Sequence, residues 1–245
     1  MKRNNDPRYY VQNKLQNALL RNKIVQKNMI QKYIEEQNKY VFIHPTKVGG
    51  SAFIKYIQKY YINHFEYRGH HTKAQQVNHP ILFIRDPYER FISMYKYWKY
   101  GSIDYIEHQH SITHLQNVEK YNIKDFITFV KRKDSILITP FTSFMHILPQ
   151  SWWIEETDYH KCIVVMYDKN KMEEKVFQLL DYLESKKVLV NNKYEFLKIN
   201  VSNHQNNENI ILDSEDMKEI NILYQNDFKL IETIENNPHF FFKKF

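Results

Sequence analysis

The chain has 245 residues, enough for one large domain or two small ones with a substantial core. Its 42% hydrophobic and 26% charged content is that of a soluble globular protein, no apolar run is long enough to span a membrane, and a single cysteine, Cys162, excludes an intrachain disulfide. The net charge of +7 is unevenly placed: residues 1 to 40 carry nine Lys or Arg against three acidic residues, the remainder sums to about +1, and a uniformly basic nucleic-acid-binding coat is thereby excluded.

Residues 9 to 38 lack Gly and Pro and predict a long basic helix, with Val11, Leu15, Leu19, Val25, Met29 and Tyr33 on one stripe. It reads as packed on a core; the sharper alternative is a helix that forms a homodimer or meets an anionic substrate. The opening residues lack the apolar centre of a secretory signal, so the expectation is a soluble, cytosol-like protein with neither signal peptide nor membrane anchor. The expected division is this helix over 1–39 and one domain over 40–245. A strand at Tyr40–His44 runs into a glycine turn, and a helix follows over Ser51–Tyr61. ILFIR (81–85) is a buried-type strand. Asp86-Pro87-Tyr88-Glu89 then opens a helix to about Tyr100, with Asp86 as N-cap and Glu89 completing a capping-box pattern. Residues 101–120 read as a loop. Its His108, His110 and His114 have a spacing that could ligate zinc, but a substrate-side loop is the preferred reading. A helix over 123–133, a strand over 161–167 and a helix to about Glu184 follow. Cys162, in the apolar run CIVVM, reads as a core residue. Residues 186–199 suggest a short strand or hairpin, and Ser214–Asn236 one last helix with Ser214 as N-cap. Strands alternating with helices predict an α/β fold with a central parallel sheet flanked by helices in a single domain.

Two stretches carry chemistry. The first is FIHPTKVGGSAF, residues 42–53, which holds two of the chain's four glycines side by side. A strand, a glycine turn and a helix aim backbone N–H groups and a helix N-terminus at one spot, which suits an anion and above all phosphate. Gly49 and Gly50 allow close approach, Ser51 adds a hydroxyl and Lys47 a mobile charge; the plain alternative is a tight connection with no ligand. Lys47 precedes the glycines, so this is not the P-loop order of a nucleotide kinase, and the dinucleotide fingerprint GxGxxG is absent. The second stretch is ILFIRDPYERFISMYKYW, residues 81–98. Arg85 falls at the carboxyl end of a strand, where open α/β sheets bind ligands. Ser93 lies two turns into the helix on the face of Glu89 and Tyr97, and could join Arg85 in gripping a second phosphate. Arg90 could do the same or pair with Asp86.

These stretches resemble the 5′-phosphosulfate loop and the 3′-phosphate motif of the sulfotransferases, most closely the carbohydrate branch, with H-x-P-K-T-G-G-T-S and R-D-P-x-x-R-x-x-S. HILPQSWW (146–153), CIVVMYDKNKMEEKVFQLLDYL and ILYQNDFKLIE resemble later family segments, in family order over about residues 41–232. The resemblance implies a P-loop-like sulfotransferase fold. The implied activity is transfer of a sulfuryl group from 3′-phosphoadenosine-5′-phosphosulfate (PAPS) to an acceptor hydroxyl, with no metal required. Lys47 would stabilise the leaving phosphate. The backbone of Val48, Gly49, Gly50, Ser51 and Ala52 would hold the 5′-phosphate, and Arg85 and Ser93 the 3′-phosphate. The catalytic base falls in RGHHTK, where aligning Gly69-x-His favours His71 over His70. His146, Gln150 and Trp152 would meet the substrate, although Trp152 and Trp153 could equally be core. Asn203 would close over the nucleotide. The acceptor implied is a sugar hydroxyl. Pro45 comes one place early, and Asp168 stands where Glu is commoner. Val48 and Ala52 replace hydroxyl residues, which suggests two lost phosphate hydrogen bonds worth about 0.5–1.5 kcal/mol each. That loss motivates a non-catalytic nucleotide- or glycan-binding protein as the alternative; a nucleotide phosphotransferase is the other.

Overall fold

The computed structural model describes residues 39–100, 120–132, 145–155, 157, 161–189, 194–196 and 209–236. The expected N-terminal helix, the histidine-rich loop with His108, His110 and His114, and Asn203 lie outside these. Residues 40–245 cluster as one compact unit.

Four parallel strands form one sheet: β1 (Tyr40–Ile43), β2 (Phe65–Tyr67), β3 (Pro80–Ile84) and β4 (Ile163–Met166), in the order β2-β1-β3-β4. Phe42 pairs with Tyr67 on one side and Ile81 on the other, and β3 pairs with β4 from Ile81–Ile163 to Ile84–Met166. Alternation sends Phe42, Ile81, Phe83, Ile163 and Val165 to one core and Val41, Ile43, Leu82, Ile84 and Val164 to the other. Apolar residues on both faces are what a parallel sheet covered on both sides requires. Cys162 is buried in the second core. The first core is closed by helices α1 (Gly50–Tyr60) and α4 (Met172–Ser185), through Phe53, Tyr56, Val176, Leu179, Leu180 and Leu183. The second is closed by Trp153 and by Leu230 and Ile234 of α6 (Gln225–Asn236). A third core joins α2 (Pro87–Tyr100), α3 (Ile123–Lys131) and α5 (Ser214–Leu223) around Phe91, Trp98, Phe126, Ile220 and Tyr224. No described helix is long and apolar enough to cross a membrane.

Two details differ from the sequence reading. β2 falls in the stretch after α1 read as polar; it is a three-residue edge strand. The last helix breaks at Tyr224 into α5 and α6, and Asp213, not Ser214, caps α5 by accepting from the Asp216 N–H at 2.9 Å. Of the stretch 186–199, residues 186–189 and 194–196 show turn and coil, and the rest of the expected strand or hairpin lies outside the described residues.

The strand order positions the site. From β1 the chain crosses to β2 on one side and then to β3 on the other, so the sheet reverses its winding between β1 and β3. Ligands of open α/β sheets bind outside the carboxyl ends of the strands at such a point. The glycine turn follows β1 there, and Arg85 follows β3.

Candidate active site

Helix α1 is built to receive an anion. Its N-cap, Gly49, has φ 77° and no side chain with which to cap the helix. No acidic residue lies in its first turn, whereas Glu89, Asp125, Glu173, Glu215 and Asp227 occupy the first turns of α2, α3, α4, α5 and α6. Every other described α-helix thus carries a carboxylate in its first turn, where the helix end is positive, and α1 carries none. Both glycines are sterically required. A Cβ at Gly49 would overlap the Tyr167 ring, and one at Gly50 would overlap the His44 ring. Ser51 is half-buried in the first turn. Val48 and Ala52 are buried in the first core, so their side chains belong to packing. What the turn offers at these positions is backbone.

Lys47 adopts φ 65°, a left-handed conformation that costs a residue with a Cβ about 1–2 kcal/mol. Two arginines brace it: Arg90 Nε donates to Thr46 O at 3.0 Å and Arg85 Nη1 to Lys47 O at 3.3 Å. The Lys47 ammonium sits over the Tyr97 ring, 4.0 Å from its centroid. Burial first, then the charges of Arg85 and Arg90, lowers its pKa to about 7.

His70 is the more buried of the two histidines of RGHHTK and feels the Lys47 charge. His71 is exposed, while His70 is half-buried and its ring lies 4.6 Å from that of His44. His70 Nδ1 is 2.6 Å from the His44 carbonyl, which can only accept, so Nδ1 carries the proton and Nε2 is the basic nitrogen. Trp153, fully buried, donates its indole N–H to His70 O at 2.8 Å and fixes the backbone from the other side. Burial depresses the His70 pKa, and the charge of Lys47 adds to this. His44 and His146 are also held well below the ordinary imidazole range, by burial first and then by their neighbours, Lys47 among them. The Nδ1 atoms of both are buried with no protein partner. The His146 ring stacks on Tyr97 at 4.8 Å.

Arg85 stacks over the Tyr167 ring at 4.7 Å and pairs with Glu89 at 3.2 Å. Asp86 caps α2 as read, accepting from the Glu89 N–H at 2.9 Å, but the Glu89 carboxylate goes to Arg85. Ser93 lies on the α2 face between Glu89, at Arg85, and Tyr97, under Lys47. Arg90 is no anion ligand. It is buried, and Nη2 donates to Leu148 O (2.8 Å), Thr46 Oγ1 (3.3 Å) and His146 O (3.4 Å), with Asp227 3.9 Å from Nη1. Gln150 is buried behind Arg85, and its amide is bonded to Arg85 N and O. Of the two tryptophans, Trp153 is core; Trp152 is half-buried, with the Lys73 ammonium 4.8 Å from its ring centroid. Asp168 accepts from the Asn170 N–H at 2.8 Å and serves the turn before α4. Among the described residues, no group of three His, Cys, Asp or Glu is arranged to hold a metal ion. His44, Tyr97 and Tyr167 are site residues that no local pattern singled out.

The family model described as "Sulfotransferase family" matches residues 34–232. This chain belongs to the sulfotransferase family. The family match spans the glycine turn, the Arg85 motif, both histidines of RGHHTK and the helix that carries Asp227. No curated protein and no solved structure matches the chain.

Proposed function

We propose that this sulfotransferase moves a sulfuryl group from PAPS to a hydroxyl of a carbohydrate. The observation that carries the reading is the meeting of Lys47, His70 and Arg85 around an uncapped helix N-terminus at the sheet's switch point. His70 Nε2 takes the proton of the acceptor O–H as its oxygen bonds to sulfur. The bond from sulfur to the bridging oxygen breaks, and the 5′-phosphate departs with its charge on Lys47 and the first-turn N–H groups of α1. Positioning and electrostatics carry such a transfer, as they do phosphoryl transfer. Arg85, with Ser93 on the neighbouring helix face, suits the 3′-phosphate that distinguishes PAPS from ATP. His70 replaces His71 as the assigned base because its Nδ1 is engaged by the His44 carbonyl, which leaves Nε2 as the basic nitrogen, and its own carbonyl accepts from Trp153. Trp152 supports a sugar acceptor, since its half-buried ring adjoins the tryptophan that anchors His70.

Calorimetric titration tests the donor. The product nucleotide, 3′-phosphoadenosine 5′-phosphate, is expected to bind far more tightly than ADP or ATP-Mg. Equal binding, or none, overturns the reading; with the expected result, PAPS-dependent transfer to a glycan panel tests the acceptor.

A further inference from the structure

The two anion-gripping elements are separate in sequence, yet one buried carboxylate links them. Asp227 of α6 is fully buried. Its Oδ2 accepts from Gln150 N at 2.9 Å and its Oδ1 from Ser151 N at 2.8 Å. Both donors open the 3-10 turn Gln150–Trp153, so the carboxylate fixes where that turn begins. Gln150 in turn accepts from Arg85 N at 3.0 Å and donates from Nε2 to Arg85 O at 2.5 Å. This two-bond clasp holds Arg85, just past the end of β3, much as a neighbouring strand would. The side chain of Arg85 then leaves a fixed backbone, with the Tyr167 ring under its guanidinium. An arginine side chain has many rotamers, and a phosphate contact gains most when they are narrowed beforehand.

Resting on the sulfotransferase reading, we infer that Gln150 and Asp227 are positioning residues for 3′-phosphate selectivity: Asp227 sets the 3-10 turn, and the Gln150 amide holds Arg85 where it can grip that phosphate. Neither residue touches the nucleotide. The Lys47 turn is touched by Arg85 as well, at Lys47 O, but it keeps a second brace, Arg90 on Thr46, that does not run through Gln150. Loss of Gln150 therefore affects the 3′-phosphate more than the 5′-phosphate.

The test compares two nucleotides that differ only in that group, 3′-phosphoadenosine 5′-phosphate and adenosine 5′-phosphate, by calorimetry. Wild-type protein comes first: a Kd ratio near one defeats the sulfotransferase reading itself. Given a large wild-type ratio, Gln150→Met, close in volume, is expected to reduce it about tenfold or more, with adenosine 5′-phosphate affinity changing less than about threefold. An unchanged ratio overturns the inference, and so does an equal loss for both nucleotides, which is what a general packing role gives. Gln150→Glu decides the matter if Gln150→Met does not fold. A protonated carboxyl reproduces the amide's donor and acceptor towards Arg85, and a carboxylate loses the donor. Its ratio is expected to approach wild type near about pH 6 and to fall below it near about pH 9, since burial raises a carboxyl pKa. Wild type is measured at each pH because the phosphates titrate as well. A ratio that tracks wild type throughout overturns the inference.

Discussion

At the scale of single residues, the roles proposed for Lys47 and His70 have opposite protonation needs. In the proposed transfer Lys47 must be charged to receive a leaving phosphate, and its pKa in the free protein is lowered to about 7. His70 must be neutral to accept a proton, and its pKa is depressed below the ordinary imidazole value. In kcat/KM, which reports the free enzyme, activity therefore rises as His70 deprotonates and falls as Lys47 deprotonates near pH 7. A bound phosphosulfate favours the ammonium, so the alkaline limb of kcat is expected at clearly higher pH than that of kcat/KM. Steady-state pH profiles check this; coincident alkaline limbs would contradict it. His70→Ala is expected to lower kcat by about 10²–10⁴-fold, the usual worth of a positioned base, and His71→Ala to leave it within about threefold. Single-turnover rates of the two variants measure the contrast. The sequence brought both histidines to notice. The Gly69-x-His spacing favoured His71, because the contacts that favour His70 come from His44, 26 positions earlier, and Trp153, 83 positions later.

At the scale of elements, the glycine turn works because rings fill the space that side chains at 49 and 50 would take. Gly50 has no positive φ, and the nearest barrier to a larger residue there is the His44 ring. Gly50→Ala is expected to cost about 1–3 kcal/mol by overpacking. In a His44→Ala background that cost should largely vanish, because the obstructing ring is gone. Urea unfolding of the two single variants and the double variant forms the cycle; additive losses would place the obstruction elsewhere. Most elements here were legible. β1, β3 and β4 are apolar runs of strand length, and α2 announces itself through Asp86-Pro87. β2 was missed because Phe65-Glu66-Tyr67 is too short to show a period. The break at Tyr224 was missed because no Gly or Pro marks it. Its cause is tertiary: the Tyr224 hydroxyl donates to Ile147 O at 2.9 Å, and Asp227, in the first turn of α6, is held by Gln150 N and Ser151 N.

At the scale of the whole molecule, the buried Arg90–Asp227 pair joins the turn after β1, the segment around residues 146–151 and the last helix. The motif spacing showed Arg90 as a candidate phosphate ligand, because R-x-x-x-x-R reads the same whether the second arginine points out or in. Only the fold supplies its acceptors, 44 to 58 positions away in sequence. Arg90→Met keeps much of the stem but removes four hydrogen bonds and leaves Asp227 without its cation. Breaking a buried pair in this way is expected to cost about 3–5 kcal/mol. Asp227→Asn keeps the shape, can still accept from Gln150 N or Ser151 N, and should cost less. The double variant is expected to lose less than the two single losses combined, because each single change leaves the other group uncompensated. Urea midpoints of all three variants test this. Strict additivity would mean that 3.9 Å is too far for Arg90 and Asp227 to act as a pair, and that Arg90 holds the turn through carbonyl and hydroxyl acceptors alone.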